Sequence, residues 1–119
     1  MNERIRREKY KGKEILLCDF TKLMGHQFIE FLNLCFEEIQ KNQDQLIIFD
    51  VEKATIVGDA LKEAKEFAKK IHPFRKKSAF LGIIGPKKIL LESILMFSGS
   101  SKYTKTFGDK ELAMDWLVQ

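Results

Sequence analysis

The residues of this chain whose types and spacing could do chemistry gather after one apolar run, in Gly82-Ile83-Ile84-Gly85-Pro86-Lys87-Lys88. A strand that turns through glycine into a helix N-terminus presents backbone N–H groups to an anion, and lysines there add positive charge. Gly85, Lys87 and Lys88 are therefore the anion-site candidates. The same letters also suit a plain strand-to-helix junction, with Gly85 in the turn and Pro86 as the first helical residue. The spacing is not GxxxxGK[ST], so the segment is no P-loop.

Other reactive side chains are scattered. His26 and His72 are the only histidines, and neither forms a triad or a metal spacing with the available Asp, Ser or Cys residues. No metal or cofactor is expected. Asp19 and Asp50 each stand at or near the end of an apolar run, where α/β folds often bind ligands. A hydrolase or transferase would draw on these two acids, but turn and cap roles explain them more simply. Cys18 and Cys35 read as buried free thiols, since cysteine behaves as a small hydrophobe and no CxxC or Cys/His cluster is present.

The elements that must position these residues alternate along the chain. Glu14 to Phe20 reads as a strand, and the Lys11-Gly12-Lys13 turn before it makes a hairpin with a polar edge strand around Arg4 to Tyr10. Gln45 to Val51 and Ser78 to Ile84 are short, nearly continuous apolar runs, the pattern of central parallel strands covered on both faces. Tyr103 to Phe107 is a weaker final strand after a Ser-Gly-Ser-Ser loop. Between the strands, Phe28, Ile29, Phe31, Leu32, Cys35, Phe36 and Ile39 share one helical face, and only Leu34 falls among the acids. A second helix over Gly58 to Ile71 carries Ala60, Leu61, Ala64, Phe67, Ala68 and Ile71 on one stripe, with acids at its start and lysines at its end. His72-Pro73 stops it. A last helix begins at Asp109 as N-cap and is expected to bury Leu112 and Trp116.

This alternation predicts right-handed βαβ crossovers, hence helices over a mostly parallel sheet. The expected architecture is a single α/β domain over residues 1–119, a mixed sheet of about five strands packed by about four helices. With 45% hydrophobic and 32% charged residues among 119, the chain has the apolar content for a core. The first fourteen residues are densely charged, without the apolar stretch of a secretory signal, and no run approaches the roughly 20 residues that span a bilayer. A cytoplasmic protein is expected. The net charge of +4 invites a nucleic-acid reading. Its distribution counts against one, because all arginines but Arg75 lie near the N-terminus, the lysines are spread over every element, and basic and aromatic residues do not interleave as in an RNP motif.

Three stretches together carry a family resemblance: EILLCDF followed by a helix, QLIIFDV ending around Asp50, and KKSAFLGIIGPKK before an apolar helix and a terminal FGDKELAMDWL. Over roughly Glu14 to Leu117 the chain resembles the SpoIIAA-like (STAS-like) family of small bacterial proteins. The resemblance implies a mixed sheet packed by helices, as in anti-sigma factor antagonists and, more distantly, CRAL/TRIO lipid-transfer domains. It also implies a place for a switch, since those antagonists carry a phosphorylated serine in an Asp-Ser-(Ser/Thr)-Gly motif where the helix after the central strand begins. Here the stretch reads Thr55-Ile56-Val57-Gly58-Asp59-Ala60-Leu61, without a serine. Ala60 has no hydroxyl to modify, Asp59 supplies a fixed single charge, and Thr55 is the nearest hydroxyl.

The segment after Pro86 raises the question of function. Leu90, Leu91, Ile94, Leu95 and Phe97 make a core face of a helix expected over 86–98, while Ile89 and Met96 project to its other side. A helix apolar all round is either buried deeply or meets a partner. Ile89 and Met96 offer about 3 to 6 kcal/mol of gross burial, so Leu34 or further surface must join before binding is tight. The leading expectation is a non-enzymatic domain that binds a protein partner or a second copy of itself through Ile89, Met96 and Leu34. The alternative is a small lipid or acyl-ligand carrier whose pocket this helix lines.

Overall fold

The computed structural model describes residues 3–83, 85–86, 88–89, 91 and 102–119. The apolar runs become strands. β1 (Ile5–Tyr10) pairs antiparallel with β2 (Lys13–Asp19), and β3 (Gln45–Asp50), β4 (Arg75–Leu81) and β5 (Thr104–Phe107) follow in parallel, giving one mixed sheet in the order β1-β2-β3-β4-β5. Helices α1 (Gly25–Ile39), α2 (Asp59–Ile71) and α3 (Lys110–Leu117) complete it, with a 3₁₀ turn at His72–Phe74 between α2 and β4.

Alternation along the strands divides the sheet into two buried faces. On one, Leu16, Cys18, Ile47 and Phe49 meet Phe28, Phe31, Cys35 and Ile39 of α1 and Ala60, Phe67 and Ile71 of α2. On the other, Ile15, Leu17, Leu46, Ile48 and Ala79 meet Ala113, Met114 and Leu117 of α3. β3 therefore buries every residue from Gln45 to Phe49, as its unbroken apolar run requires. Gln45 is the polar exception, and its amide donates to the carbonyls of Ile39 and Asn42 at the end of α1. Ile39 O, which also accepts from Asn42 N–H (3.4 Å), has no partner inside the helix, so the buried glutamine helps to close its C-terminus.

The sheet and the helices α1, α2 and α3 agree with the sequence reading, and three details differ. β4 begins at Arg75 rather than Ser78 and ends at Leu81. The early start follows from the ladder with β3, in which Gln45 is the register partner of Arg75 and Leu46 of Lys77, and the end is set by Gly82, whose φ of +81° breaks strand geometry. α3 does not bury Leu112, which is 59% exposed, and Trp116 is half-buried. Ala113 allows the closest approach to the sheet, and Asp115, held by Tyr10 (2.6 Å) and Lys11 (2.9 Å), fixes the rotation that leaves Leu112 outside. Three helices rather than about four are complete among the described residues. Pro86, Lys88, Ile89 and Leu91 are helical, whereas Met96 and most of the helix expected over 86–98, Lys87, and the Ser-Gly-Ser-Ser loop lie outside the described residues. No helix among the described residues is long and apolar enough to cross a membrane.

Candidate interaction site

Because β2, β3 and β4 run parallel, the chain leaves all three at one end of the sheet, and every following loop gathers there. Backbone contacts stitch these loops together. Phe20 N–H donates to Asp50 O (2.8 Å), Lys22 N–H to Glu52 O (3.0 Å), Thr55 N–H to Leu23 O (3.0 Å) and Val51 N–H to Leu81 O (3.0 Å). Gly82 packs so closely on Glu52 that a Cβ there would stand 2.5 Å from its Cα. The rim is thus one continuous structure made from three connections.

Three large aliphatic side chains stand exposed on this rim or just beyond it: Met24 after β2 (58%), Val57 after β3 (65%) and Ile89 after β4 (70%). Leu91, two residues beyond Ile89, is buried at 6% and lines a cavity with residues of α1, α2 and β4. One turn of helix therefore has a covered side and an open side, the division expected for Ile89. Leu34 is exposed at 41% but lies elsewhere, in a groove with Ile5, Arg7 and Glu38 beside β1. The structure does not bring it into the rim. Met24 and Val57 escape a reading by periodicity because each stands in a short loop beside an apolar neighbour, Leu23 and Ile56, that packs on the core instead. Their signal is position, at the end of the loop that leads from a parallel strand into the next helix.

At the junction after β4, Gly85 takes a φ of +58° and its carbonyl accepts from Lys88 N–H (3.0 Å). That bond closes the first helical turn and occupies one N–H an anion would need. Both Gly85 and Lys88 are exposed, while their third candidate partner, Lys87, lies outside the described residues. At the start of α2, Gly58 (φ +59°, ψ −128°) turns the chain without a side-chain cap. Ala60 is buried at 2%, Asp59 is exposed, and Thr55 is exposed on the approach to the helix. Thr55 is therefore the accessible hydroxyl of that stretch.

The acids are engaged locally. Asp19 and Asp50 are neighbours across β2 and β3 and project to the α3 side. Asp19 accepts from the Thr21 hydroxyl (2.6 Å) and N–H (2.9 Å), with Arg4 at 3.6 Å. Burial alone would raise its pKa, but these bonds and the nearby Arg4 and Arg6 charges outweigh it and hold the carboxyl below the usual range. Asp50 goes the other way: burial, then the charges of Asp19 and Glu52, hold it above that range despite a bond from Glu52 N–H (3.1 Å). The histidines are not brought to the acids. His26 pairs with Glu30 (3.0 Å) on α1, and His72 Nδ1 accepts from Arg75 Nη2 (2.8 Å). Among the described residues, no group of three or more metal-ligating side chains forms.

The cavity beneath Leu91 measures about 60 Å³ and is walled by Phe20, Phe49, Phe67, Ile71 and Phe80, with Arg75 and Ser78 as its polar side. Arg75 is 8% exposed and donates to Thr104 Oγ1 (3.1 Å), which lies 2.8 Å from Ser78 Oγ. Burial lowers the arginine pKa from its ordinary value, and Tyr103 opposes the shift. Cys18 and Cys35 are free and buried between β2 and α1. Burial, and then Cys18, push the Cys35 thiol far up, so it stays protonated.

No family model and no curated protein matches this chain. Among solved structures it is similar to an anti-sigma-factor antagonist (STAS) domain protein from Planctomyces limnophilus, with a TM-score of 0.61 over 97% of this chain and 98% of that one. The two are 13% identical, so the likeness is one of architecture. With its single antiparallel edge strand, parallel crossovers and terminal helix, the chain has a STAS-like fold.

Proposed function

We propose that this chain is a non-enzymatic, regulatory STAS-like domain that acts by binding a protein partner or a second copy of itself through the carboxyl-end rim. The reading rests on one observation: Met24, Val57 and Ile89, all more than half exposed, stand at the same end of the sheet after three successive parallel strands. Each offers about 1.5 to 3 kcal/mol of gross burial, so together they supply the apolar centre that Ile89 alone cannot. The similar structure is described as an anti-sigma-factor antagonist domain protein, a precedent for work done by association. Met96 joins this surface as a proposal from the helical spacing, and Leu34 would belong to a second contact beside β1. Thr55 is where a phosphate would place charge next to the rim. A serine switch at the start of α2 is not part of this reading, because Ala60 offers no hydroxyl there.

Sedimentation velocity over a wide concentration range tests self-association, and photo-crosslinking from position 57 or 89 in cells tests a partner. Val57→Glu and Ile89→Glu are expected to abolish the dimer or the crosslink while leaving the melting temperature within a few degrees, since both positions are exposed. A protein that stays monomeric and forms no crosslink from either position overturns the reading.

The cavity favours a second reading, a small apolar or acyl ligand. About 60 Å³ is well below the roughly 150 Å³ of an engineered cavity that holds benzene, so an acyl chain enters only if the wall at Leu91 or α2 yields. Native mass spectrometry after mild purification, with displacement of a fluorescent fatty acid, checks it. Absence of both a retained mass and displacement rejects it.

A further inference from the structure

On the sheet face opposite α1 and α2, helix α3 has two chemically different flanks. Toward the β1–β2 hairpin, Asp115 bonds Tyr10 and Lys11, and Glu111 lies close enough to act on both electrostatically. Asp115 is engaged there, and Glu111, one turn earlier, lies toward the same flank. Toward β4 and β5, Lys77 Nζ stands 4.9 Å and Lys105 Nζ 5.4 Å from the centre of the Trp116 ring. Phe107 packs on the same indole at 5.7 Å, and Leu112, one turn before Trp116 on α3, is 59% exposed. Ala79 and Lys105 are register partners, as are Leu81 and Phe107, so Lys77, Lys105 and Phe107 all project to the α3 side.

This makes an apolar strip of Leu112, Trp116 and Phe107 with two ammonium groups over its middle. Among the described residues no carboxylate side chain pairs with Lys77 or Lys105. Lys77 is fixed further by donating to Trp116 O (3.0 Å) and to Gln119 O (3.4 Å), which leaves its third N–H for a partner. The indole holds both charges in place before any partner arrives, which reduces the ordering cost of binding.

We propose that this strip docks an acidic, aliphatic segment of a partner protein, its carboxylates on Lys77 and Lys105 and its aliphatic side chains on Leu112, Phe107 and Trp116. Apolar contact area with charges fixed beside it is the build of a peptide-docking surface, the first supplying affinity and the second register. Two features favour a peptide over single-stranded nucleic acid. The indole already carries ammonium groups where a base would stack, and the patch has lysines but no arginine. β5 is also an edge strand of the five-stranded sheet, where an extended segment can align.

Trp116 is the only tryptophan, so its emission reports on the patch directly. A short synthetic peptide of glutamate and leucine is titrated into the full chain, with oligothymidylate, phosphatidylserine vesicles and a lysine–leucine peptide as the other arms. The expected result is a saturable emission change with the acidic peptide, weakened by salt and by about tenfold in Lys105→Glu and in Leu112→Ser, two exposed positions at which melting temperature verifies the fold. No emission change, binding that both variants leave as tight as in the parent, or tighter binding of oligothymidylate, vesicles or the basic peptide overturns the proposal.

Discussion

The two faces of the sheet are closed by different means. Beneath α1 and α2, aromatic rings interlock in a chain: Phe20 lies 4.6 Å from Phe31 and 5.1 Å from Phe28, and Phe49 lies 5.7 Å from Phe67 and 5.1 Å from Phe80. Beneath α3, an eight-residue helix brings only Ala113, Met114 and Leu117 to the sheet, and hydrogen bonds from Tyr10, Lys11 and Lys77 hold its margins. The first arrangement concentrates apolar burial, which dominates folding free energy. The second leaves charges and a tryptophan at half exposure, where a partner can reach them. Stability is therefore weighted toward one face, and on the other there is surface to spare for recognition.

The widest gap should appear on truncating one residue from each face. Phe20 is 2% exposed and touches three other rings, so Phe20→Ala is expected to cost about 3 to 5 kcal/mol in urea unfolding. It also enlarges the cavity that Phe20 lines, which the collapsed structure cannot wholly refill. Leu117 is equally buried at 1%, but its helix is short and buries three side chains in all, so its surroundings relax more easily. Leu117→Ala is expected near the lower end of the leucine range, about 2 kcal/mol. Equal losses from the two variants would break the contrast between the faces.

How far the sequence reveals these faces depends on the kind of signal. Continuous apolar runs such as Gln45 to Phe49 announce a strand covered on both sides, and the stripes of α1 and α2 announce a broad helical layer. Those patterns sum over many residues, so one polar exception such as Gln45 does not hide them. In α3 the stripe of Ala113 and Leu117 and the stripe of Leu112 and Trp116 are both apolar, and eight residues are too few for periodicity to choose between them. Side-chain bonds at Asp115 and Lys77 make the choice, and they couple residues about a hundred and about forty positions apart. The carboxyl-end rim is concealed for a similar reason. Ile89 is visible as a surplus apolar residue, whereas Met24 and Val57 gain meaning only once β2, β3 and β4 are known to be parallel.

A smaller effect sharpens the comparison through charge, since the face of α3 also carries Asp19 and Asp50 on adjacent strands. A carboxyl held below its ordinary pKa, as Asp19 is, adds stability that is present above the unfolded pKa and is lost as pH falls through the folded one. Asp50 has the opposite sign. Burial, with Asp19 and Glu52 nearby, makes the folded chain bind its proton more readily than the unfolded chain does, so stability falls as pH rises from the unfolded pKa through the folded one and stays lowered above it. Asp50→Asn removes that penalty, while the amide oxygen can still accept from Glu52 N–H. The variant should therefore melt higher than the parent at pH 7, and the gain should shrink on acidification and disappear below the ordinary aspartate value of about 3.9. Melting temperatures of both proteins across that range decide it. A lower melting temperature for Asp50→Asn at pH 7 would mean that the carboxylate's bond to Glu52 outweighs its burial, and that the charged margin of this face stabilises the fold instead of costing it.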